Sequence, residues 1–233
     1  MRSPVFIIAE AGVNHNGELE TAKKLASAAA SAGADAIKIQ TFRPDRVVSK
    51  NAPKANYQLK STDPTESQFD MLSKLTFPED DYPLLKDYCE QLGIEFFSTP
   101  YNEEDVDFLV KLGVKRIKLP SISIAEPHFV KYVAQTGLPL ILSTGMATMD
   151  EVAHAVEVVN SVGLSDYTLL HCTTNYPTDV DEVNMRAMVT IKDSLDVRVG
   201  YSDHTTTDTA CIAAVALGAE IIEKHLTLNR LLP

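Results

Sequence analysis

The chain has 233 residues, 45% of them hydrophobic, enough for one sizeable core. Its formal net charge of −11 excludes a general nucleic-acid binder, which needs a basic face against phosphates. A local positive pocket for a small anion remains compatible with that charge. Cys89, Cys172 and Cys211 are odd in number and widely spaced, so neither a disulfide framework nor a zinc cluster is signalled, and a reduced, cytoplasmic setting is expected. No apolar run is long enough to cross a membrane, and the one at 5–9 is ended by Glu10 too soon for a signal peptide.

In chain order, short apolar or β-branched runs fall at 5–10, 36–40, 95–100, 116–120, 139–144, 167–172, 198–203 and 220–225. Helical patterns separate them, at 19–32, 103–112, 127–136, 149–162 and 208–217, each closed by a glycine. Strands alternating with helices imply a parallel sheet. Eight such units, most of them long enough for a strand and its helix, predict an α/β fold of the (β/α)8 TIM barrel type. The first βα loop, AGVNHNG, lacks the GxGxxG of a dinucleotide site.

Two irregularities interrupt the pattern. A long polar insertion at 41–68 follows the second strand and is expected to cover the site. The chain also stops at Pro233, before an eighth helix, so residues 1–233 read as a truncated barrel domain from a longer protein. Apolar flank between the last and first helices should then be exposed.

Nearly every strand ends in polar groups, which a purely structural barrel would not need. Glu10 ends the first strand, and Lys38 and Gln40 share one face of the second. The third ends in Ser98 and Thr99, and the fourth carries Lys118 and then Ser121. Ser143 and Thr144 follow on the fifth; His171, Cys172 and Tyr176 on or after the sixth; Ser202, Asp203 and His204 on the seventh; Glu223 and His225 share a face of the eighth. Burying several ionisable groups together costs several kcal/mol unless they are paired or bind something. Lys38 and Lys118, with Ser121, Ser143 and Ser202, would form a pocket for a multiply charged anion. The competing arrangement pairs those lysines with Glu10 or Glu223, and both can hold together. His204 and His225 end adjacent strands, and spacing alone leaves open a divalent metal site or a hydrogen-bonded pair. His128 and His154 fall in helical patterns and read as surface or packing residues, Cys89 and Cys211 as core or half-buried small hydrophobes, and Glu79–Asp81 as the charged first turn of a helix.

The motifs AEAGVNHNG, IKIQTF, APKANYQLKSTDPTESQ, FFSTPY, ILSTGM, LLHCTTNYPT, GYSDHT and IEKHLTL resemble, in this order, the sialic acid synthase family, closest to its bacterial neuraminate and legionaminate members. The resemblance implies condensation of phosphoenolpyruvate with an N-acetylated hexosamine and water, giving a nine-carbon 2-keto sugar acid and phosphate. It implies a phosphoenolpyruvate pocket of Lys38, Lys118, Ser121, Ser143 and Ser202, and a sugar side lined by Glu10, Gln40, Thr99 and Tyr176. It implies that His204 and His225 hold a divalent metal, Mn²⁺ with Mg²⁺ or Co²⁺ as alternatives, beside the acidic Glu223. Glu10 or Glu223 would handle protons, and the full-length protein would be a homodimer. The sequence departs from the family in carrying PSIS at 120–123 for PSGE or GSGE, Thr174 where some members carry Asn, and an end before the GPDH motif. The family's C-terminal antifreeze-like domain is absent from the chain. The rival readings are a Schiff-base aldolase using Lys38 or Lys118, a related phosphoenolpyruvate-dependent sugar-acid phosphate synthase, and a non-catalytic anion-binding barrel.

Overall fold

The computed structural model describes residues 4–55, 58–60, 62–63 and 65–231. Eight parallel strands close in sequence order: β1 (Phe6–Gly12), β2 (Ala36–Thr41), β3 (Glu95–Pro100), β4 (Ile117–Leu119), β5 (Leu140–Ser143), β6 (Tyr167–Cys172), β7 (Val199–Asp203) and β8 (Ile221–His225). β8 returns to pair with β1, so the predicted barrel is the barrel found. β1 runs past its predicted end to Gly12, with an irregular register between Glu10 and Gly12.

The helices are α1 (Leu19–Ser31), α2 (Pro44–Val47), α3 (Gln68–Leu75), α4 (Asp81–Gln91), α5 (Glu103–Leu112), α6 (Pro127–Ala134), α7 (Met149–Ser161), α8 (Arg186–Leu195) and α9 (Thr209–Ala216). Their ends follow local chemistry. Asn102 caps α5 by accepting from the Asp105 N–H, three carboxylates occupy its first turn, and Gly113 ends it at φ +77°. Thr148 and Glu151 form a reciprocal capping box on α7. α4 starts only at Asp81, so Glu79 and Asp80 precede the helix instead of forming its first turn.

Strand alternation sorts the side chains. In β2, Ile37 and Ile39 are fully buried beneath the helices, while Lys38 and Gln40 turn into the barrel. The N-terminal mouth carries an ion pair. Arg116 makes a bidentate contact with Glu95 at 2.6 and 3.0 Å and stacks over the Phe6 ring at 4.3 Å. Chemistry is left to the opposite mouth, where βα loops carry function in this fold.

The insertion after β2 leaves from that C-terminal mouth. It holds α2 and runs to the start of α3, and Lys54 ties it together by donating to Thr62 Oγ1, the Asp63 carbonyl and Glu66 Oε1. Asn56, Tyr57, Ser61 and Pro64 of this insertion lie outside the described residues. Among the described residues no helix follows β8, and Ile212 and Val215 of α9 are exposed. No helix is long and apolar enough to cross a membrane among those residues.

Candidate active site

Four charged side chains meet inside the barrel, each between 3% and 6% exposed. Lys38 Nζ lies 2.5 Å from Glu10 Oε2 and 3.7 Å from Glu223 Oε2, and donates to Thr99 Oγ1 at 2.9 Å. Lys118 Nζ lies 3.3 Å from Glu223 Oε1, which also accepts from Ser202 Oγ at 2.8 Å. Strands β1, β2, β4 and β8 therefore supply one cluster with balanced charge.

The two carboxylates are not equivalent. Burial pushes Glu10 up more than the Lys38 ammonium pulls it down, and the Glu223 charge adds to the rise. Burial opposes ionisation of Glu223 too, but Lys118, Lys38 and the Ser202 hydroxyl outweigh it and hold that carboxyl below the usual range. Burial likewise disfavours the Lys38 charge, yet Glu10 and then Glu223 hold its pKa above that of an ordinary lysine. Glu223 is the fixed anion, and Glu10 is the carboxyl better able to carry a proton.

Hydroxyls surround the cluster. Ser143 Oγ is buried and makes no hydrogen bond among the described residues. Ser121 Oγ lies 3.2 Å from Cys172 Sγ. Gly145 lets these walls close, because a Cβ there would lie 2.8 Å from Cys172 Sγ and 3.0 Å from Ser121 Oγ. Gln40 Oε1 accepts from the Tyr101 hydroxyl at 3.3 Å.

His204 and His225 stand side by side with ring centroids 5.4 Å apart. Tyr176 stacks on His204 at 4.1 Å and meets His225 edge-on at 5.7 Å. His204 Nδ1 lies 2.5 Å from the Thr173 carbonyl. A carbonyl only accepts, so Nδ1 carries the proton and Nε2 presents its lone pair. Burial lowers His204 to about 4, against the opposing pull of that carbonyl. His225 ends β8, and burial of its ring among the protein atoms, followed by the Lys38 and Lys118 charges, lowers its pKa against the attraction of Glu223. Two neutral imidazoles, one with its lone pair fixed by a backbone partner, are a donor set that fits a divalent cation. Among the described residues no group of three or more His, Cys, Asp or Glu side chains gathers to hold a metal.

Of the residues expected from sequence, Glu10, Lys38, Lys118, Glu223, Thr99 and Ser202 form one contact network and Tyr176, His204 and His225 another, while three polar strand residues turn away from them. Ser98 turns outward to the Ile39 carbonyl, His171 to the Val183 carbonyl, and Asp203 to Lys224. Alternation explains all three: each neighbours a residue that points inward. His128 and His154 are exposed and Cys89 is fully buried, as helical placement implied. Sequence reasoning missed Lys224, whose signal was its place between the two inward residues Glu223 and His225.

A (β/α)8 barrel with balanced buried charges, buried hydroxyls and an imidazole pair at its C-terminal mouth is the class this geometry defines. The chain belongs to the NeuB family, whose model matches residues 25–233. It is 47% identical over 232 residues to the N,N'-diacetyllegionaminic acid synthase of Legionella pneumophila, covering 98% of this chain and 65% of that protein. It is 46% identical over 227 residues to the enzyme of the same name from Campylobacter jejuni, covering 97% of this chain and 68% of that protein. The chain thus spans about two thirds of the length of these relatives. Its fold also matches the crystal structure of a sialic acid synthetase from Leptospira borgpetersenii in complex with citrate, with TM-score 0.86 and 34% identity over 98% of this chain and 75% of that one.

Proposed function

We propose that this barrel condenses phosphoenolpyruvate with an N-acetylated hexose and water, giving a nine-carbon 2-keto sugar acid and phosphate. The observation that carries the reading is the pair of buried ammonium groups, Lys38 and Lys118, in a mouth that also holds hydroxyls just after β4 and at the ends of β5 and β7. The 47% and 46% identity with two N,N'-diacetyllegionaminic acid synthases favours a di-N-acetylated hexose as the acceptor over N-acetylmannosamine.

Lys38 and Lys118 hold the carboxylate and phosphate of phosphoenolpyruvate, and Ser121, Ser143 and Ser202 donate to their oxygens. A proton on Glu10 leaves the cluster net positive, which favours an arriving anion. Gln40, Thr99 and Tyr176 line the acceptor side and turn its aldehyde carbon toward the enol carbon. As the carbon–carbon bond forms, Glu10 gives its proton to the aldehyde oxygen. Glu223, ionised, takes a proton from the water that adds to the phosphate-bearing carbon, and phosphate then leaves with its bridging oxygen. His204 and His225 would hold a divalent cation, manganese in preference to magnesium or cobalt, which when bound supplies Lewis-acid polarisation of the acceptor carbonyl.

The raised Lys38 pKa opposes the aldolase alternative, which needs a neutral amine. Three free cysteines suit a reducing cytosol. A homodimer is the assembly the family resemblance implies. The test is direct: incubate the protein with phosphoenolpyruvate, Mn²⁺ and a panel of mono- and di-N-acetylated hexoses, and follow the sugar acid by mass spectrometry and phosphate by colorimetry. Phosphate released without a nine-carbon acid, from any acceptor, would overturn the reading.

A further inference from the structure

We infer that Asp203 and Lys224 form a positioning clasp that fixes how His204 and His225 face each other, and so sets how tightly the two imidazoles hold a divalent cation. The inference rests on reading that histidine pair as a cation site. Asp203 and Lys224 are direct partners across β7 and β8, and each immediately precedes one of the histidines. Their side chains turn to the outer side of the barrel and meet at 2.5 Å, with the Asp203 side chain fully buried.

The clasp also gathers the loop that carries His204. Lys224 Nζ donates to the Thr205 carbonyl at 3.0 Å and the Thr207 carbonyl at 2.8 Å. Asp203 Oδ1 accepts from the Thr205 N–H at 2.9 Å and the Tyr201 hydroxyl at 3.2 Å, and Oδ2 accepts from Cys211 Sγ at 3.1 Å. One carboxylate and one ammonium therefore tie β7, β8, the 203–207 loop and the start of α9 to a single point. Asp203, Lys224, His204 and His225 line the same hollow of about 210 Å³. His204 has its own anchor in the Thr173 carbonyl, so the clasp chiefly governs where the His225 strand lies relative to it. A strand end free to slide by a fraction of an ångström would leave each imidazole intact but spoil their shared geometry. Groups that orient metal ligands from behind typically change affinity by roughly 10–100-fold when removed.

The experiment is a Mn²⁺ titration of the protein, followed by electron paramagnetic resonance and calorimetry, on wild type, Asp203→Asn, Lys224→Met, Lys224→Arg and His204→Ala. Arg116→Met serves as a control for general destabilisation, because it breaks an ion pair at the opposite mouth. Wild type and Arg116→Met are expected to bind alike and His204→Ala to lose binding. Asp203→Asn and Lys224→Met should bind roughly 10-fold more weakly or worse, with Lys224→Arg recovering most of the loss. If His204→Ala loses binding while Asp203→Asn and Lys224→Met match wild type, the clasp is refuted and the cation site stands. If wild type binds no Mn²⁺, or His204→Ala binds as well as wild type, the cation reading fails and the inference with it. Should Asp203→Asn fail to fold, the contrast between Lys224→Met and Lys224→Arg decides.

Discussion

Lys38 and Glu10 face each other across β1 and β2 at 2.5 Å, in a place where each side chain is 3% exposed. A buried pair of this kind adds little net stability, because the attraction mainly offsets desolvation, but removing one partner strands the other. Lys38→Met should therefore cost about 3–5 kcal/mol by urea unfolding and abolish phosphoenolpyruvate binding by calorimetry. The double variant Lys38→Met with Glu10→Gln should recover much of the stability and none of the binding. Equal stability of the single and double variants would show that the two groups are not coupled.

The lysines also separate the proposed condensation from the aldolase alternative. A Schiff base requires a free amine attacking pyruvate, whereas Glu10 and Glu223 keep Lys38 charged against the effect of burial. Borohydride treatment with pyruvate should leave the protein mass unchanged, and intact-protein mass spectrometry reads this directly. An adduct on Lys38 or Lys118 would move the reaction class to the aldolases.

Much of this site was legible because strand periodicity is two. Lys38 with Gln40, and Glu223 with His225, share a face in any strand that contains them, and the eight short apolar runs counted the barrel units. Periodicity does not say which face is the inner one. Asp203, His171 and Ser98 belonged to polar strand ends and yet point away from the mouth, since a one-residue change in phase exchanges the faces. Nor does sequence pair residues across the barrel. Lys118 meets Glu223 from 105 positions away, and His204 finds its partner in the backbone of Thr173, where side-chain identity carries no signal.

Gly200 tests the packing beneath the site. A Cβ there would lie 2.4 Å from the Ile221 carbonyl oxygen and 2.6 Å from Leu170 Cδ2. The carbonyl belongs to β8, and it cannot retreat without disturbing the strand that carries Glu223 and His225. Overpacking of this kind costs about 1–3 kcal/mol, and the backbone contact places Gly200→Ala at or above the upper end. Thermal and urea unfolding check the stability, and Mn²⁺ binding should weaken with it. A variant as stable as wild type would mean that the β7–β8 wall yields more than its contacts imply.

His15, in the first βα loop, gives the fold a pH dependence of its own. It is fully buried, its ring lies 4.8 Å from that of Phe77, and its Nδ1 accepts from the Gly17 N–H at 3.0 Å. Burial lowers it to about 4, against a smaller opposing pull from the Gly12 backbone. Above the unfolded value of about 6.5 the ring is neutral in both states, so its contribution to stability is fully present there. As pH falls from about 6.5 toward 4 the unfolded chain takes up a proton that the folded chain refuses, and stability declines by up to about 3 kcal/mol before levelling off. His15→Gln removes this titration. The variant should be less stable at pH 7, yet its stability should fall less steeply than that of wild type between pH 6.5 and 4, with the histidines of the mouth accounting for the remaining slope. Urea unfolding at half-unit pH steps measures both curves, and parallel curves would exclude His15 as a source of the acid sensitivity.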